Sequence, residues 1–196
     1  MKIVHFAIPG PPGSGGVNYI RWGNASCPDT EGTETLYSGR AAGSLWTEQG
    51  GGSNYLCLPD EPEFLATVPG VQDYRRARVY GTEYKIDSGS PLESLHNNNA
   101  PCAACYTLAR ADKIMIPGKV TCPTSWTREY FGYLVAERHG HYRNSFECLD
   151  VNAEAVPGEA AETNSALFYL TEVFCNGIDC PPYAEGNELS CVVCTK

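Results

Sequence analysis

Two similar sets of cysteines constrain the fold of this chain more than any other feature of its sequence. Each half carries a Cys-Pro pair, then a Cys-Leu pair, then a CxxC motif, at Cys27, Cys57, Cys102 and Cys105 and again at Cys122, Cys148, Cys191 and Cys194. Equivalent cysteines are 95, 91, 89 and 89 residues apart, and only Cys175 and Cys180 lack first-half equivalents. An even set that can pair off completely is typical of a duplicated, oxidised module. Because such frameworks persist in oxidising compartments, we predict a secreted, extracellular protein.

The charge of the chain argues against one large class of partner. The formal net charge is −9 at pH 7, whereas nucleic-acid binding depends on clustered Lys and Arg. The basic cluster Arg75-Arg76-Ala77-Arg78 is too short to reverse this and indicates a solvated loop. No apolar run approaches the roughly 20 residues of a membrane helix. We therefore predict neither a nucleic-acid partner nor a membrane partner.

Short runs rich in aromatic and β-branched residues alternate with clusters of Gly, Pro, Asn and Ser, a pattern typical of strands joined by turns. Twenty glycines and 14 prolines leave little room for long helices. We predict an all-β protein with a single helical turn over residues 151–155. The runs that carry the strand prediction are residues 17–22, 79–84, 114–116, 130–135 and 167–170.

The repeated cysteines also predict the domain organisation. Residues 1–16 form an N-terminal tail in which Gly10, Gly13 and Gly16 recur every third residue with prolines between them. This is the collagen pattern, although a flexible Gly/Pro linker has the same composition. Residues 17–108 form a first β subdomain and residues 109–196 a second. We expect a pseudo-twofold axis to relate the two subdomains.

The motif set resembles the C-terminal noncollagenous domain of type IV collagen and, most closely, that of the short-chain, spongin-like collagens of invertebrates. The resemblance covers residues 17–196, so that residues 10–16 look like the last trace of a collagenous segment. It rests on the Cys-Pro and Cys-Leu pairs, the first CxxC motif and the terminal Cys-Val-Val-Cys-Thr-Lys. Further similar stretches are Tyr-Ile-Arg-Trp-Gly at 19–23, Tyr-Ser-Gly at 37–39 and the glycine-rich run that leads into Cys57 and Pro59.

The resemblance implies a disulfide pattern and a mode of association. The implied pairs are Cys27–Cys105, Cys57–Cys102, Cys122–Cys194, Cys148–Cys191 and Cys175–Cys180. The last pair closes a small loop, for which the first half substitutes residues 85–99, a departure from the type IV pattern. The resemblance also implies trimers, formed partly by a strand hairpin that inserts into the sheet of a neighbour.

Metal and redox chemistry are the main alternative roles for these residues. The cysteines of the two CxxC motifs have the local spacing of zinc ligands or of a redox pair. Each half supplies two further cysteines, however, so the set pairs completely, and we predict no metal site. On a strand, His139 and His141 would face the same side and share a metal, but a surface hairpin is the more common outcome.

Catalytic motifs are incomplete throughout the sequence. The stretch Asp87-Ser88-Gly89-Ser90-Pro91 faintly resembles a serine-protease nucleophile loop, but His5 is the only histidine upstream of it and no triad can be assembled in that order. The chain also lacks GxSxG, P-loop and HExxH motifs. We predict that the protein is not an enzyme and needs no cofactor.

Two features of the sequence suggest a role for carbohydrate: a site for N-glycosylation and a large number of aromatic side chains that could bind sugar. Asn24-Ala25-Ser26 is the only glycosylation sequon, with Cys27 directly after it to restrict access. The 12 tyrosines and three tryptophans could line a sugar-binding face, although core and interface positions are the commoner use of such rings. Gly50-Gly51-Gly52 lacks the Lys-Ser/Thr of a phosphate loop and indicates a tight bend.

These observations support two hypotheses of function. The first is a secreted structural protein that associates with copies of itself, as a ring of three or as a helical filament. The second is a secreted carbohydrate-binding or defence protein on the same scaffold, with extracellular glycans as partners. Assembly without any ligand favours the first hypothesis, whereas sugar-dependent retention favours the second.

Overall fold

The computed structural model describes residues 15–65, 76–108, 110–160 and 162–196, and it confirms the all-β prediction. Within these ranges the only helix is a 3-10 turn at Glu93–Leu95, and no helix has the length and apolar character needed to cross a bilayer. The tail glycines Gly10 and Gly13 lie outside the described residues, as does Arg75. The strands are β1 Gly16–Trp22, β2 Thr33–Gly43, β3 Leu56–Pro59, β4 Tyr80–Tyr84, β5 Pro101–Leu108, β6 Lys113–Pro117, β7 Thr127–Ala136, β8 Glu147–Asp150, β9 Ala166–Leu170 and β10 Ser190–Thr195.

The five runs singled out in the sequence lie in strands β1, β4, β6, β7 and β9, except that Val79 precedes β4. The predicted helical turn at 151–155 is wrong. The Asp150 carboxylate accepts a hydrogen bond from the backbone N–H of Asn152 at 2.8 Å, and the Asp150 carbonyl accepts one from Ala153 at 3.0 Å. Asp at the start of a turn competes with the helix in this way, since its side chain satisfies backbone donors locally.

The two halves of the chain have the same strand-pairing scheme. In the first half β5 lies between β1 and β2, and β2 also pairs with β3 and β4. In the second half β10 lies between β6 and β7, and β7 also pairs with β8 and β9. All eight of these pairings are antiparallel. The strands β1 to β5 therefore correspond in order to β6 to β10.

The correspondence extends to an irregularity in the ladder. The β2–β5 register shifts between Thr35 and Tyr37, which leaves Leu36 as an extra residue. The β7–β10 register shifts at the equivalent place, which leaves Glu129 as the extra residue. A β-bulge of this kind re-aims the side chain of the unpaired residue, so Leu36 and Glu129 occupy matching positions in the two halves.

Two parallel contacts join the halves into one molecule. Trp22 of β1 pairs with Leu149 of β8, and β4 pairs with β9 over three residues. With the β7–β9 pairing, seven strands form a closed circuit in the order β7, β8, β1, β5, β2, β4 and β9. Apolar side chains from both halves pack into one core there, including Trp22, Tyr55, Tyr84, Val135, Leu149 and Phe168.

Candidate self-association surface

Five disulfides hold the strands in place. They join Cys27–Cys105, Cys57–Cys102, Cys122–Cys194, Cys148–Cys191 and Cys175–Cys180. These are the same pairs that the resemblance implies. Every cysteine of the chain is used and none is free, so the CxxC motifs of β5 and β10 offer no thiolate to a metal.

Three polar pairs join β1 of the first half to β7 and β8 of the second. The Tyr19 hydroxyl donates to the carboxylate of Glu129 at 2.8 Å. The indole N–H of Trp22 donates to Glu147 at 2.9 Å. Arg21 forms an ion pair with Asp150, Nε to Oδ2 at 2.8 Å. The contact between the halves therefore combines an apolar core with polar contacts along its margin.

The buried Glu129 carboxylate has several compensating partners. Besides Tyr19, it forms an ion pair with Arg110 and accepts a hydrogen bond from Thr195 Oγ1 at 2.6 Å. Burial, followed by the charge of Glu129, raises the pKa of Tyr19 and keeps its hydroxyl protonated as the donor. A buried carboxylate is tolerated when it is paired and hydrogen-bonded in this way.

Residues 151–156, which we call the second-half strap, lie across the first half. The backbone N–H of Glu154 donates to the Gly23 carbonyl at 2.8 Å, and that of Val156 donates to the Asn99 carbonyl at 3.0 Å. The Glu154 carboxylate accepts from the backbone N–H of Ala25 at 2.9 Å, and the Glu154 carbonyl accepts from the Tyr84 hydroxyl. The strap thus covers the end of the first-half sheet.

The equivalent contact, of β6 with β3, is not made within the described chain. Ile114 faces Cys194 as Tyr19 faces Cys105, so β6 corresponds to β1. Leu58 follows Cys57 as Leu149 follows Cys148, so β3 corresponds to β8. In the described residues β6 pairs only with β10, and β3 pairs only with β2. Both strands are therefore open sheet edges with unpaired backbone groups.

The open edges carry apolar residues at the positions where the contact of β1 with β7 and β8 has polar pairs. The pair Tyr19–Glu129 corresponds to Ile114 and Leu36, which are 44% and 53% exposed. The pair Trp22–Glu147 corresponds to Pro117 and Leu56, and the pair Arg21–Asp150 corresponds to Ile116 and Pro59. We call Leu36, Leu56, Leu58 and Pro59 the first-half edge, and Ile114, Ile116 and Pro117 the second-half edge.

The segment after β3 continues this pattern. Residues 60–65, the first-half strap, stand at the same distance from Cys57 as residues 151–156 from Cys148, so Glu63 corresponds to Glu154 and Leu65 to Val156. Val156 is buried against the other half, whereas Phe64 and Leu65 are 79% and 94% exposed. The first-half strap therefore has the apolar side chains of a packed segment, but among the described residues nothing covers Phe64 and Leu65.

A cavity lies where the equivalence places a site for such a strap. It has a volume of about 330 Å³ and is lined by Gly118, Lys119, Val173, Asn187 and Leu189, among others. The corresponding first-half positions include Gly23 and Tyr84, which bind the second-half strap. The second half thus has a cavity at the counterpart of the surface that the first half uses for strap binding.

Exposed apolar side chains occur on both edges and on the first-half strap. Of the 15 exposed large apolar residues in the described part, Leu36, Leu56, Leu58, Phe64 and Leu65 lie on the first-half edge or its strap. Ile114 lies on the second-half edge, and Tyr183 lines the cavity beside it. Exposed apolar side chains on an open sheet edge are typical of an interaction site.

The predicted glycosylation residue is not freely available in the folded chain. The Asn24 side chain is buried, and its amide donates to the Asn152 carbonyl at 3.2 Å. An attached sugar would therefore displace the second-half strap. Glycosylation of Asn24 stays a prediction. Because the side chain is buried in the folded chain, a sugar would have to be attached before the two halves pack together.

The two histidines of the candidate metal site do not share a face. His139 lies in the turn after β7, whereas the His141 ring stacks on Trp46 at 4.2 Å between centroids. Among the described residues, no group of three or more His, Cys, Asp and Glu side chains could hold a metal ion. The structure gives His141 a different partner, the carboxylate of Glu137 at 2.9 Å.

This buried pair was not predicted from the sequence. The side chains of Glu137 and His141 are 2% and 3% exposed. Arg138 Nε donates to His141 Nε2 at 2.7 Å, which leaves the Nδ1 hydrogen for Glu137. Glu137 also accepts from the backbone N–H of Leu167. Burial raises the pKa of Glu137 to about 7 and lowers that of His141.

The remaining candidate residues lie in loops. Ser88 and Gly89 form a turn in which both donate to the carboxylate of Glu93, and Glu93 has a lowered pKa because of these hydrogen bonds. The three glycines 50–52 line an open groove of about 510 Å³ beside Tyr142 and Arg143. The sugar-binding hypothesis stays a prediction for this groove.

No family model matches this chain. The function must therefore be argued from the geometry. The edge residues were missed at the sequence level, although the alignment of the two cysteine sets contains their signal. When the two halves are aligned by their cysteines, each of these edge positions has an apolar residue in one half and a charged or aromatic hydrogen-bonding residue in the other.

Proposed function

We propose that this protein is a secreted structural protein whose copies associate head to tail. The second-half edge of one copy docks on the first-half edge of the next. The first-half strap of the receiving copy then fills the cavity beside Gly118 and Lys119. This contact repeats, between copies, the contact that the two halves make within one chain.

A single observation carries the proposal: both strands that would complete the repeated contact are open, exposed and apolar. Within the chain the equivalent surfaces bury Tyr19 and Leu149. Burying an isoleucine or leucine side chain contributes about 1.5–3 kcal/mol, and unpaired strand edges add backbone hydrogen bonds. Charge adds little to this contact, because the cavity wall contains Glu188 as well as Lys119 to face Glu61 and Glu63 of the first-half strap.

The contact is heterologous, because it joins two different surfaces. A heterologous contact generates a closed ring if the rotation between copies closes, and a helical filament if it does not. We also propose that the chain is a collagen-type noncollagenous domain, since its disulfide pairs match those of that family. The trimers of that family favour a ring of three, and the five disulfides support the proposed extracellular location.

Complementary edge variants test the direction of association. Leu58→Asp places a charge on the first-half edge, and Ile114→Asp places one on the second-half edge. We expect each variant alone to be a monomer in light scattering, with association weakened at least tenfold, which is about 1.4 kcal/mol. An equimolar mixture should form a dimer, because each variant retains the edge that the other has lost.

Leu108→Asp is the matched control, since Leu108 is an exposed leucine outside both edges. It should assemble like the unmodified protein. Dimers of either edge variant alone would indicate contact between identical edges and would overturn the head-to-tail arrangement. A monodisperse monomer of the unmodified protein at high concentration would exclude self-association itself.

A further inference from the structure

A buried glutamate on β4 and a buried lysine just after it meet a half-buried asparagine from the loop between β4 and β5. Lys85 is buried, and its Nζ lies 2.6 Å from Oδ1 of Asn97. The Glu83 side chain is fully buried, and its Oε2 lies 3.4 Å from Lys85 Nζ. An amine, a carboxamide and a carboxylate this close together have the chemical groups needed to form an amide bond between the two side chains.

The positions of all three residues are set by the backbone. Glu83 is on β4, and Lys85 follows the strand with its N–H donating to the Phe168 carbonyl at 2.9 Å. Asn97 has a left-handed φ of 61° and donates its N–H to the Tyr84 carbonyl at 2.9 Å. The short loop from Lys85 to Asn97 therefore folds back so that the two side chains meet.

The hydrogen bonding leaves one carboxylate oxygen of Glu83 available for proton transfer. Oε1 accepts from the backbone N–H of Thr163 at 2.8 Å and also from its hydroxyl. Oε2 is buried and has no hydrogen-bond partner in the described structure. This oxygen is ion-paired with the Lys85 ammonium but has no hydrogen bond, and buried polar atoms without a hydrogen bond are uncommon because each costs stability.

We propose that Lys85 and Asn97 form an intramolecular isopeptide bond, with Glu83 as the proton-transfer group. Glu83 Oε2 takes a proton from the Lys85 ammonium, and the neutral amine attacks Cγ of Asn97. The new Nζ–Cγ bond forms as the bond from Cγ to Nδ2 breaks. Glu83 gives this proton to the leaving Nδ2, the second proton that Nζ loses as the amide forms also passes to that nitrogen, and the resulting ammonium departs. The positive charge of Lys85 leaves with it, and no oxidant or reductant is required.

The second half supports this assignment by contrast. The equivalent loop between β9 and β10 is closed by the disulfide Cys175–Cys180. The first-half loop has no cysteine between β4 and β5, but it brings Lys85 and Asn97 together. Each half would then have a covalent bond within the same loop, and the first-half bond would survive reducing conditions. A cross-link stabilises the fold mainly by restricting the unfolded chain.

Peptide mapping of the unmodified protein is the direct test. After reduction of the disulfides, a protease that cleaves after glutamate cuts at Glu93, between the two residues. If the bond is present, the fragments on either side of Glu93 stay joined, and their combined mass is lower by one ammonia. Separate fragments of full mass would show that Lys85 and Asn97 form only a hydrogen bond and would overturn the proposal.

Two matched variants test the role of Glu83. Glu83→Gln keeps the shape but cannot take the proton, so its fragments should separate. Glu162→Gln is the control, because Glu162 Oε1 is also near Lys85 Nζ, at 3.6 Å, but its side chain is 65% exposed. The control should retain the bond. Circular dichroism and the absence of free thiols establish that both variants are folded, and a bond that persists in folded Glu83→Gln would refute the assignment of Glu83.

Discussion

Gly39 and Gly132 lie at equivalent positions in the middle of β2 and β7. A Cβ at Gly39 would collide with the carbonyl oxygen of Leu58, and a Cβ at Gly132 would collide with that of Leu149. Neither glycine has a positive φ, so the requirement is for space and not for backbone conformation. The absence of a side chain lets β3 and β8 approach their neighbours closely.

Gly132→Ala should therefore destabilise the protein by about 1–3 kcal/mol, as overpacking of a tight contact does. The measurement is guanidinium-induced unfolding with the disulfides intact. Gly81→Ala is the matched control, because Gly81 also lies in a strand and a Cβ there meets nothing within 4 Å. The control should be neutral or slightly stabilising. Equal losses in the two variants would contradict the argument from close approach.

At the scale of elements, the Glu137–His141 pair joins the end of β7 to the loop that follows it and to β9. Burial raises the pKa of the Glu137 carboxyl from its ordinary value to about 7. The native state therefore binds the carboxyl proton of Glu137 more tightly than the unfolded chain does. The resulting stabilisation is complete below pH about 4.5 and is lost as pH rises through 7. Burial lowers the pKa of His141, so this residue has the opposite pH dependence. The stabilisation from its neutral form is present above the ordinary pKa of histidine and is lost as pH falls below it.

Glu137→Gln removes the first contribution and keeps an acceptor for the N–H of Leu167. The difference in unfolding free energy, unmodified protein minus variant, should fall between pH 5 and pH 8 by up to about 3 kcal/mol. Urea unfolding at several pH values measures it. Parallel pH profiles for the two proteins would show that Glu137 does not titrate in this range.

The sequence predicted element type better than element partnership. Aromatic and β-branched runs identified β1, β4, β6, β7 and β9, because composition and local turns determine strands of this kind. The local pattern at Asp150 was misinterpreted as the start of a helical turn, since an Asx turn and a helix start use the same residue types. The pairings between halves involve residues far apart in the sequence, such as Thr82 and Ala166 or Tyr19 and Glu129, and no local pattern encodes them.

The candidate site shows the same division. The cysteine repeat predicted that the halves would be equivalent, and the strand pairings follow one scheme in both. It did not predict which equivalent contacts would be made. Only one of two equivalent contacts, β1 with β8, forms in the chain, whereas a pseudo-twofold axis would require both. The aligned cysteine sets show which residues are equivalent, but not which of the two equivalent contacts forms, because that depends on packing between distant parts of the chain.

For the whole molecule, the apolar character of the proposed contact between copies determines how association should respond to salt and temperature. The contact within the chain includes the buried ion pair Arg21–Asp150, which salt screens much less than an exposed pair, and the proposed contact between copies joins mainly apolar side chains such as Ile114 and Leu36. Exposed charge pairs are screened as the Debye length shortens from about 10 Å at 0.1 M salt to about 3 Å at 1 M. Hydrophobic contacts are not screened, and they weaken on cooling.

We therefore expect assemblies to keep their mass in light scattering between about 0.1 M and 1 M NaCl. Sulfate, which strengthens apolar burial, should increase the assembled fraction, and cooling of a dilute sample should decrease it. Leu108→Asp should follow the unmodified protein under every condition, because it leaves both edges intact. Dissociation at high salt would mean that charge pairs such as Glu63 with Lys119 carry the association, and the apolar edges would then be excluded as its main source of energy.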